Sequence, residues 1–180
     1  IIGPYGTRRL DVASISYLRW WMVDRSMELC ESWVGSYLLD TKIIWFFHRL
    51  MGAKLAWSCQ LDAFIREQDL VQVGDRSEIT HDIVCRKFMP WNEKQATMIF
   101  HPISVGKNCV VDGFVLPGVV VGDGSKVLKL ASVLEGAHIP TNTLAKGAPA
   151  IAVEDYDVDV TSGQWESLLG VVKVAWLIFD

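Results

Sequence analysis

The 180 residues carry 17 Lys and Arg against 21 Asp and Glu, a net charge of −4 with no basic run, which sets aside a nucleic-acid backbone as a partner. Hydrophobic residues make up 51% of the chain, mean hydropathy is +0.25 and eight residues are Trp, so the composition suits one domain with a large core or a surface that meets lipid. Cys30, Cys59, Cys85 and Cys109 never form a CxxC pair; this excludes a zinc knuckle or dithiol redox motif and leaves packed thiols, as in a reducing compartment.

The chain opens at Ile1 rather than Met, as expected of a processed, trimmed or partial sequence, and no signal peptide is read from it. Residues 1–52 are expected to be helical and associated with a membrane or a partner. Leu18, Trp21, Met22 and Arg25 recur at helical spacing, and Tyr37 to Leu50 contains Ile43-Ile44-Trp45-Phe46-Phe47. Charges (Asp24, Arg25, Glu28, Glu31, Asp40, Lys42, Arg49) interrupt every window, so no clean run of about 18–20 apolar residues exists. An amphipathic helix lying in the interface, or packed on another protein, fits better than a free spanning helix.

Residues 53–150 carry a period of six. Val115, Val121, Val127, Val133, Ile139 and Ala145 are aliphatic, and four residues after each stand Val119, Ser125, Ala131, Ala137, Thr143 and Pro149, all small or compact. Earlier, Leu55, Leu61, Val73 and Ile79 share one phase, followed by Cys59, Ile65, Ser77 and Ile83, and Glu67 is the one misfit. An α-helix cannot give this period and a flat sheet would give a period of two. The pattern predicts a mainly β protein, a left-handed parallel β-helix whose triangular coils stack one aliphatic per side. Tight corners are expected at Val73-Gly74-Asp75 and Val121-Gly122-Asp123-Gly124. Residues 85–101 break the period and are expected to leave the stack as an extruded loop. Val105-Gly106 and Val111-Asp112 fit a phase that slips by two before Val115.

Residues 151–180 read as an acidic connector (Val153-Glu154-Asp155-Tyr156-Asp157) and an apolar C-terminal α-helix from Trp165 to Phe179, capped by Ser162, with Glu166 in its first turn. Only Lys173 is charged from Ser167 onward short of the final Asp180, so this helix is expected in protein or lipid, as though a longer transmembrane segment were cut at Asp180.

Val121-Gly122-Asp123-Gly124-Ser125, leading to Ala145-Lys146-Gly147-Ala148-Pro149-Ala150, resembles the hexapeptide-repeat acyltransferases, whose last coil ends in a Gly-Asn-Pro-Ala-like motif. Tyr17-Leu18-Arg19-Trp20-Trp21-Met22-Val23-Asp24-Arg25, Leu50-Met51-Gly52-Ala53-Lys54 and Asp69-Leu70-Val71-Gln72-Val73-Gly74-Asp75 resemble the C-terminal region of polylysine-synthetase-like, non-ribosomal-peptide-synthetase-related proteins, in which β-helical domains alternate with transmembrane helices. The resemblance spans about residues 17–150. It implies transfer of an acyl or aminoacyl group to an amine or hydroxyl at a membrane, from acyl-CoA or a carrier-protein thioester, with no metal. It also implies a homotrimer or tandem β-helix partners packed on the flat sides of the prism.

In such transferases a histidine deprotonates the acceptor. His81, just before the extruded loop, and His101, at its end, are the candidate bases; His48 in the apolar helix and His138 on a late coil read as packing or surface residues. Lys129, Lys146 and Gly147 are the candidates for holding the thioester cofactor. Two departures leave activity open: Met89-Pro90 stands where relatives carry His-Pro, and Ile151 stands where a basic residue is frequent. The rival readings are a non-catalytic structural subunit of a membrane complex, respiratory or photosynthetic in type, and a γ-carbonic anhydrase, which would need three converging zinc-binding histidines.

Overall fold

The computed structural model describes residues 6, 9–39, 41–81, 83–89 and 96–153. The connector and apolar helix expected beyond Val153 lie outside these residues. Strands of two or three residues stack in register along the sides of a parallel β-helix, which is the expected architecture. Side one is the five-stranded sheet β2 (Lys54–Leu55), β4 (Val71–Val73), β8 (Ile103–Val105), β11 (Val120–Val121) and β14 (His138–Ile139). Side two holds β3 (Gln60–Leu61), β5 (Glu78–Ile79), β9 (Val110–Val111), β12 (Lys126–Val127) and β15 (Leu144–Lys146), closed by the antiparallel β16 (Ile151–Val153). Side three is built from the Ile65↔Ile83 bridge and the pair β10 (Phe114–Val115) and β13 (Ser132–Val133).

The aliphatics of the six-residue pattern point inward. Leu55, Val73, Val105, Val121 and Ile139 fill side one, and Leu61, Ile79, Val111, Val127 and Ala145 fill side two, all buried. The slip by two is real: Val105 pairs with Val121 and Val111 with Val127, a coil two residues shorter than the one joining Val121 to Ile139.

Side three corrects the sequence reading of Glu67, Ile65 and Ile83. Its inward residue stands four positions after side two in the early coils, so Ile65 and Ile83 are core aliphatics rather than compact corner residues. Glu67 therefore never occupies an aliphatic slot. It lies just past the side, before the 3-10 turn Gln68–Leu70, and is fully buried for a polar reason. Its Oε2 accepts the Cys85 N–H at 2.8 Å and its Oε1 accepts Arg86 Nη1 at 2.7 Å.

The corner between sides one and two shows why small polar residues recur there. Ser77 Oγ donates to Gly106 O at 2.7 Å and accepts the Cys109 N–H at 3.1 Å; Ser125 Oγ donates to Pro140 O at 2.5 Å and accepts the Thr143 N–H at 3.2 Å. Each hydroxyl thus ties one coil to the next. Gly74 is required by contact, because a Cβ there would stand 2.6 Å from Gly106 O. The left-handed backbone falls two residues later than Gly74 and Gly122, at Arg76, Asn108, Gly124 and Asn142.

The extruded segment is an antiparallel arm: β6 (Arg86–Phe88) pairs with β7 (Thr97–Phe100), and β1 (Arg9–Asp11) adds to β7. Helix α1 (Ile15–Cys30) follows, with the Ser14 hydroxyl accepting the Tyr17 N–H at its start. A π-helical turn, Glu31–Gly35, and α2 (Ser36–Leu38) lead to α3 (Lys42–Leu50), which packs on β2 and β3. Of the described helices, none is long and apolar enough to cross a membrane.

Candidate active site

The coil geometry gathers most of the sequence candidates on one edge of the prism, the corner between sides two and three. The Thr80 N–H donates to Val111 O, the Asp112 N–H to Val127 O and the Leu128 N–H to Ala145 O, so residues 80, 112, 128 and 146 stack on successive coils. His81, Lys129 and Gly147 each follow one member of that stack by one residue. Rungs of a parallel sheet are about 4.8 Å apart, which places Lys129 about 10 Å and Lys146 about 14 Å from His81 along the axis. Both lysines are exposed, and Gly147 turns the chain with a φ of +89°.

His81 sits in a specific pocket of this edge. Its Nδ1 is sealed from solvent without a hydrogen bond and lies 3.7 Å from Asp112 Oδ1, while the side chain keeps 28% exposure. The Thr80 hydroxyl donates to the same Asp112 oxygen at 2.7 Å, fixing the carboxylate. Phe114 meets the imidazole edge-on, with centroids 5.1 Å apart, and holds the ring plane. The arrangement turns Nδ1 to the carboxylate. A separation of 3.7 Å is longer than a hydrogen bond. Thr80, Asp112 and Phe114 were not picked out from sequence. Asp112 lies 31 positions from His81, because the arm is inserted between them, and becomes its neighbour because their strands β5 and β9 pair in register.

His101 occupies a different edge, between sides three and one. Its N–H donates to Cys85 O at 2.8 Å across the base of the arm, and its Cβ lies 3.4 Å from where a side chain on Gly118 would begin. The structure therefore does not bring His81 and His101 together. His138 is exposed on side one. His48 is fully buried, with Nε2 3.5 Å from the Ile65 N–H and rings of Phe47 and Phe64 against it; burial pulls its pKa down to about 4. Burial raises the Cys59, Cys85 and Cys109 thiols, which are packed and unreactive. Among the described residues no group of three His, Cys, Asp or Glu side chains could hold a metal ion.

Comparison with known proteins supports the fold and points to a chemistry. No family model matches the chain. It is 27% identical over 161 aligned residues, 76% of this chain and 85% of the other, to WcaF of Escherichia coli (strain K12), provisionally named a colanic acid biosynthesis acetyltransferase; the Shigella flexneri protein of that name matches equally. Among solved structures it superposes on a maltose O-acetyltransferase from Clostridium difficile 630 with a TM-score of 0.59 at 12% identity, covering 84% of this chain and 94% of that one. The hexapeptide-repeat acetyltransferase VCA0836 from Vibrio cholerae, solved with acetyl coenzyme A, gives 0.56 at 15% identity, over 82% and 93%. A galactoside acetyltransferase in complex with coenzyme A gives 0.55 at 12%, over 88% and 92%. The architecture is thus the left-handed β-helix of hexapeptide-repeat acetyltransferases.

Proposed function

We propose that this chain is an acetyltransferase that moves an acyl group from acyl-CoA to a hydroxyl or amine, with His81 as the general base. The observation that carries the reading is the His81–Asp112 pair, held by Thr80 and Phe114, on the edge that also presents Lys129 and Lys146. His81 Nε2 removes the acceptor proton as the acceptor oxygen or nitrogen bonds to the thioester carbonyl carbon. Collapse of the tetrahedral intermediate breaks the C–S bond, and the proton passes to the departing thiolate. Asp112 steadies the imidazolium formed in between. Lys129 and Lys146 supply cations for cofactor phosphates, with Gly147 allowing close backbone approach.

WcaF is named for acetyl transfer, and two of the superposed structures hold coenzyme A or its acetyl ester, which supports acyl-CoA as donor. The resemblance of residues 17–150 to polylysine-synthetase-like proteins adds an aminoacyl thioester to the donors worth testing.

The test is acetyl-CoA turnover with a panel of sugar and amine acceptors, for the full chain and for His81→Ala, His101→Ala and Asp112→Asn. His81→Ala should lower kcat/KM by about 10²- to 10⁴-fold. Asp112→Asn should lower kcat and leave the KM for acetyl-CoA unchanged, and Asp112→Glu should recover part of the loss. Full activity in His81→Ala with loss in His101→Ala would move the site to the other edge. No turnover and no acetyl-CoA binding would leave the prism a scaffold.

A further inference from the structure

The outer face of side two, with its edge toward side three, carries charge sorted by height. Strand pairing sets Glu78 two coils before Lys126, with Val110 between them. One position along, the Asp62 N–H donates to Ile79 O, so Asp62 stands one coil before Thr80 and heads the column that runs through Asp112 and Leu128 to Lys146. Among the described residues, the carboxylates that the prism puts on this face, Asp62, Glu78 and Asp112, all belong to the first three coils. The lysines, Lys126, Lys129 and Lys146, all belong to the last two. With rungs about 4.8 Å apart, the column from Asp62 to Lys146 spans about 19 Å, and His81 lies in its acidic half. An edge polarised in this way orients any charged molecule laid along it.

Asp62 is the member of this set that the transferase chemistry leaves unused. It is exposed, and its backbone lies about 4.8 Å from that of Thr80, on the side of the base away from Lys129 and Lys146. Partial burial and the neighbouring Glu78 push its carboxyl up, and no cation pulls it back. Among the described residues nothing donates a hydrogen bond to that carboxylate. Asp112, by contrast, is engaged by Thr80 and faces His81. A donor with its phosphates on the lysine end leaves the opposite end of the edge to the acceptor. There the acceptor meets two carboxylates that repel one another, an arrangement that a bound cation relieves and a phosphate aggravates.

We propose that Asp62 selects the acceptor as a molecule that carries an ammonium group and no phosphate, of the amino-sugar class, with the ammonium on Asp62 and a hydroxyl toward His81. The inference rests on the transferase reading of the His81 edge and adds the charge of the acceptor to it. The test uses three acceptors that share a ring and differ in charge: glucosamine, glucose and glucose 6-phosphate. Each is titrated calorimetrically into the full chain with coenzyme A present, and acetyl-CoA turnover is followed with each. Glucosamine should bind about tenfold tighter than glucose, and glucose 6-phosphate about tenfold or more weaker. Asp62→Asn should bring glucosamine down to the level of glucose without moving the KM for acetyl-CoA, and Asp62→Glu should recover part of the preference. Asp62→Lys should reverse the order and favour glucose 6-phosphate. The Asp62 side chain is exposed and its backbone bond to Ile79 O does not depend on it, so the fold should persist in all three variants. Equal binding of the three acceptors, binding of none, or a preference unchanged in Asp62→Asn would overturn the inference. Turnover without charge preference would do so while leaving the transferase reading in place. Binding selective for glucosamine and lost in Asp62→Asn, but without turnover, would uphold the subsite and sink the transferase reading instead.

Discussion

Replacing Glu67 by Leu separates a repeat-based view of this chain from a physical one. By pattern, Glu67 is the polar misfit in a run of aliphatics, and Leu would repair it. In the structure the Cys85 N–H is buried and loses its acceptor, which costs about 1–3 kcal/mol. Arg86 loses a charge-assisted bond at 2.7 Å and keeps the longer contact to Asp24 and the Trp20 ring, a loss of about 1–3 kcal/mol. Against this, the mutation relieves the desolvation that pushes the Glu67 carboxyl up despite Arg86 beside it. The balance for breaking one side of a buried pair is a net destabilisation of about 3 kcal/mol. For a chain of this length that lowers Tm by about 6–12 °C. Glu67→Gln, which keeps an acceptor for the Cys85 N–H, should lose about 1–2 kcal/mol. Urea titration followed by Trp fluorescence reads both, since Trp20 lies against Arg86. A Glu67→Leu variant within about 0.5 kcal/mol of wild type, or above it, at unchanged m-value would refute the reasoning.

His48 makes stability depend on acid. Its folded pKa of about 4 lies below the ordinary 6.5, so its stabilisation is complete above about pH 6.5 and is lost as pH falls toward 4, at about 1.4 kcal/mol per unit and about 3 kcal/mol in all. Glu67, shifted upward, acts in the opposite sense above its ordinary value, so the measure is the difference in urea midpoints between wild type and His48→Leu at pH 7 and pH 4.5. At the corners, Gly74→Ala should cost about 3 kcal/mol because its Cβ would meet Gly106 and Lys107 backbone below 3.0 Å, whereas Gly136→Ala, at φ +68° with open space around it, should cost about 1 kcal/mol. Leu130→Gly should raise stability by about 0.5–1 kcal/mol, since Leu130 is held at φ +65° with 76% exposure; thermal denaturation reads all three.

The prism was legible because its spacing is covalent. Inward aliphatics must recur at the length of a side, and the two-residue shortening at Val115 showed as a phase slip. Side three was misread because four-residue sides at Ile65 and Ile83 fall on the positions that look like compact corner residues. The interruption after Ile83 was legible as lost period, yet its pairing into an arm with β1 was not, since Arg9–Asp11 lies far off in sequence and carries no turn signal toward it. The helix α1 was readable from the spacing of Leu18, Trp21, Met22 and Arg25, but its burial of Asp24 was not, because the partners Arg66 and Arg86 come from other elements.

For the candidate site the same logic sets the surroundings of each histidine. A histidine before the loop and one after it looked equivalent in sequence, each bordering the break. Folding makes them unequal. The insertion lengthens the coil from Ile79 to Val111, yet their strands still pair in register, so Asp112 and Phe114 come up against His81. His101 leaves the arm one corner later, where Gly118 and the Cys85 carbonyl are its neighbours. Two histidines of equal sequence standing thus acquire different surroundings from which corner of one coil they turn.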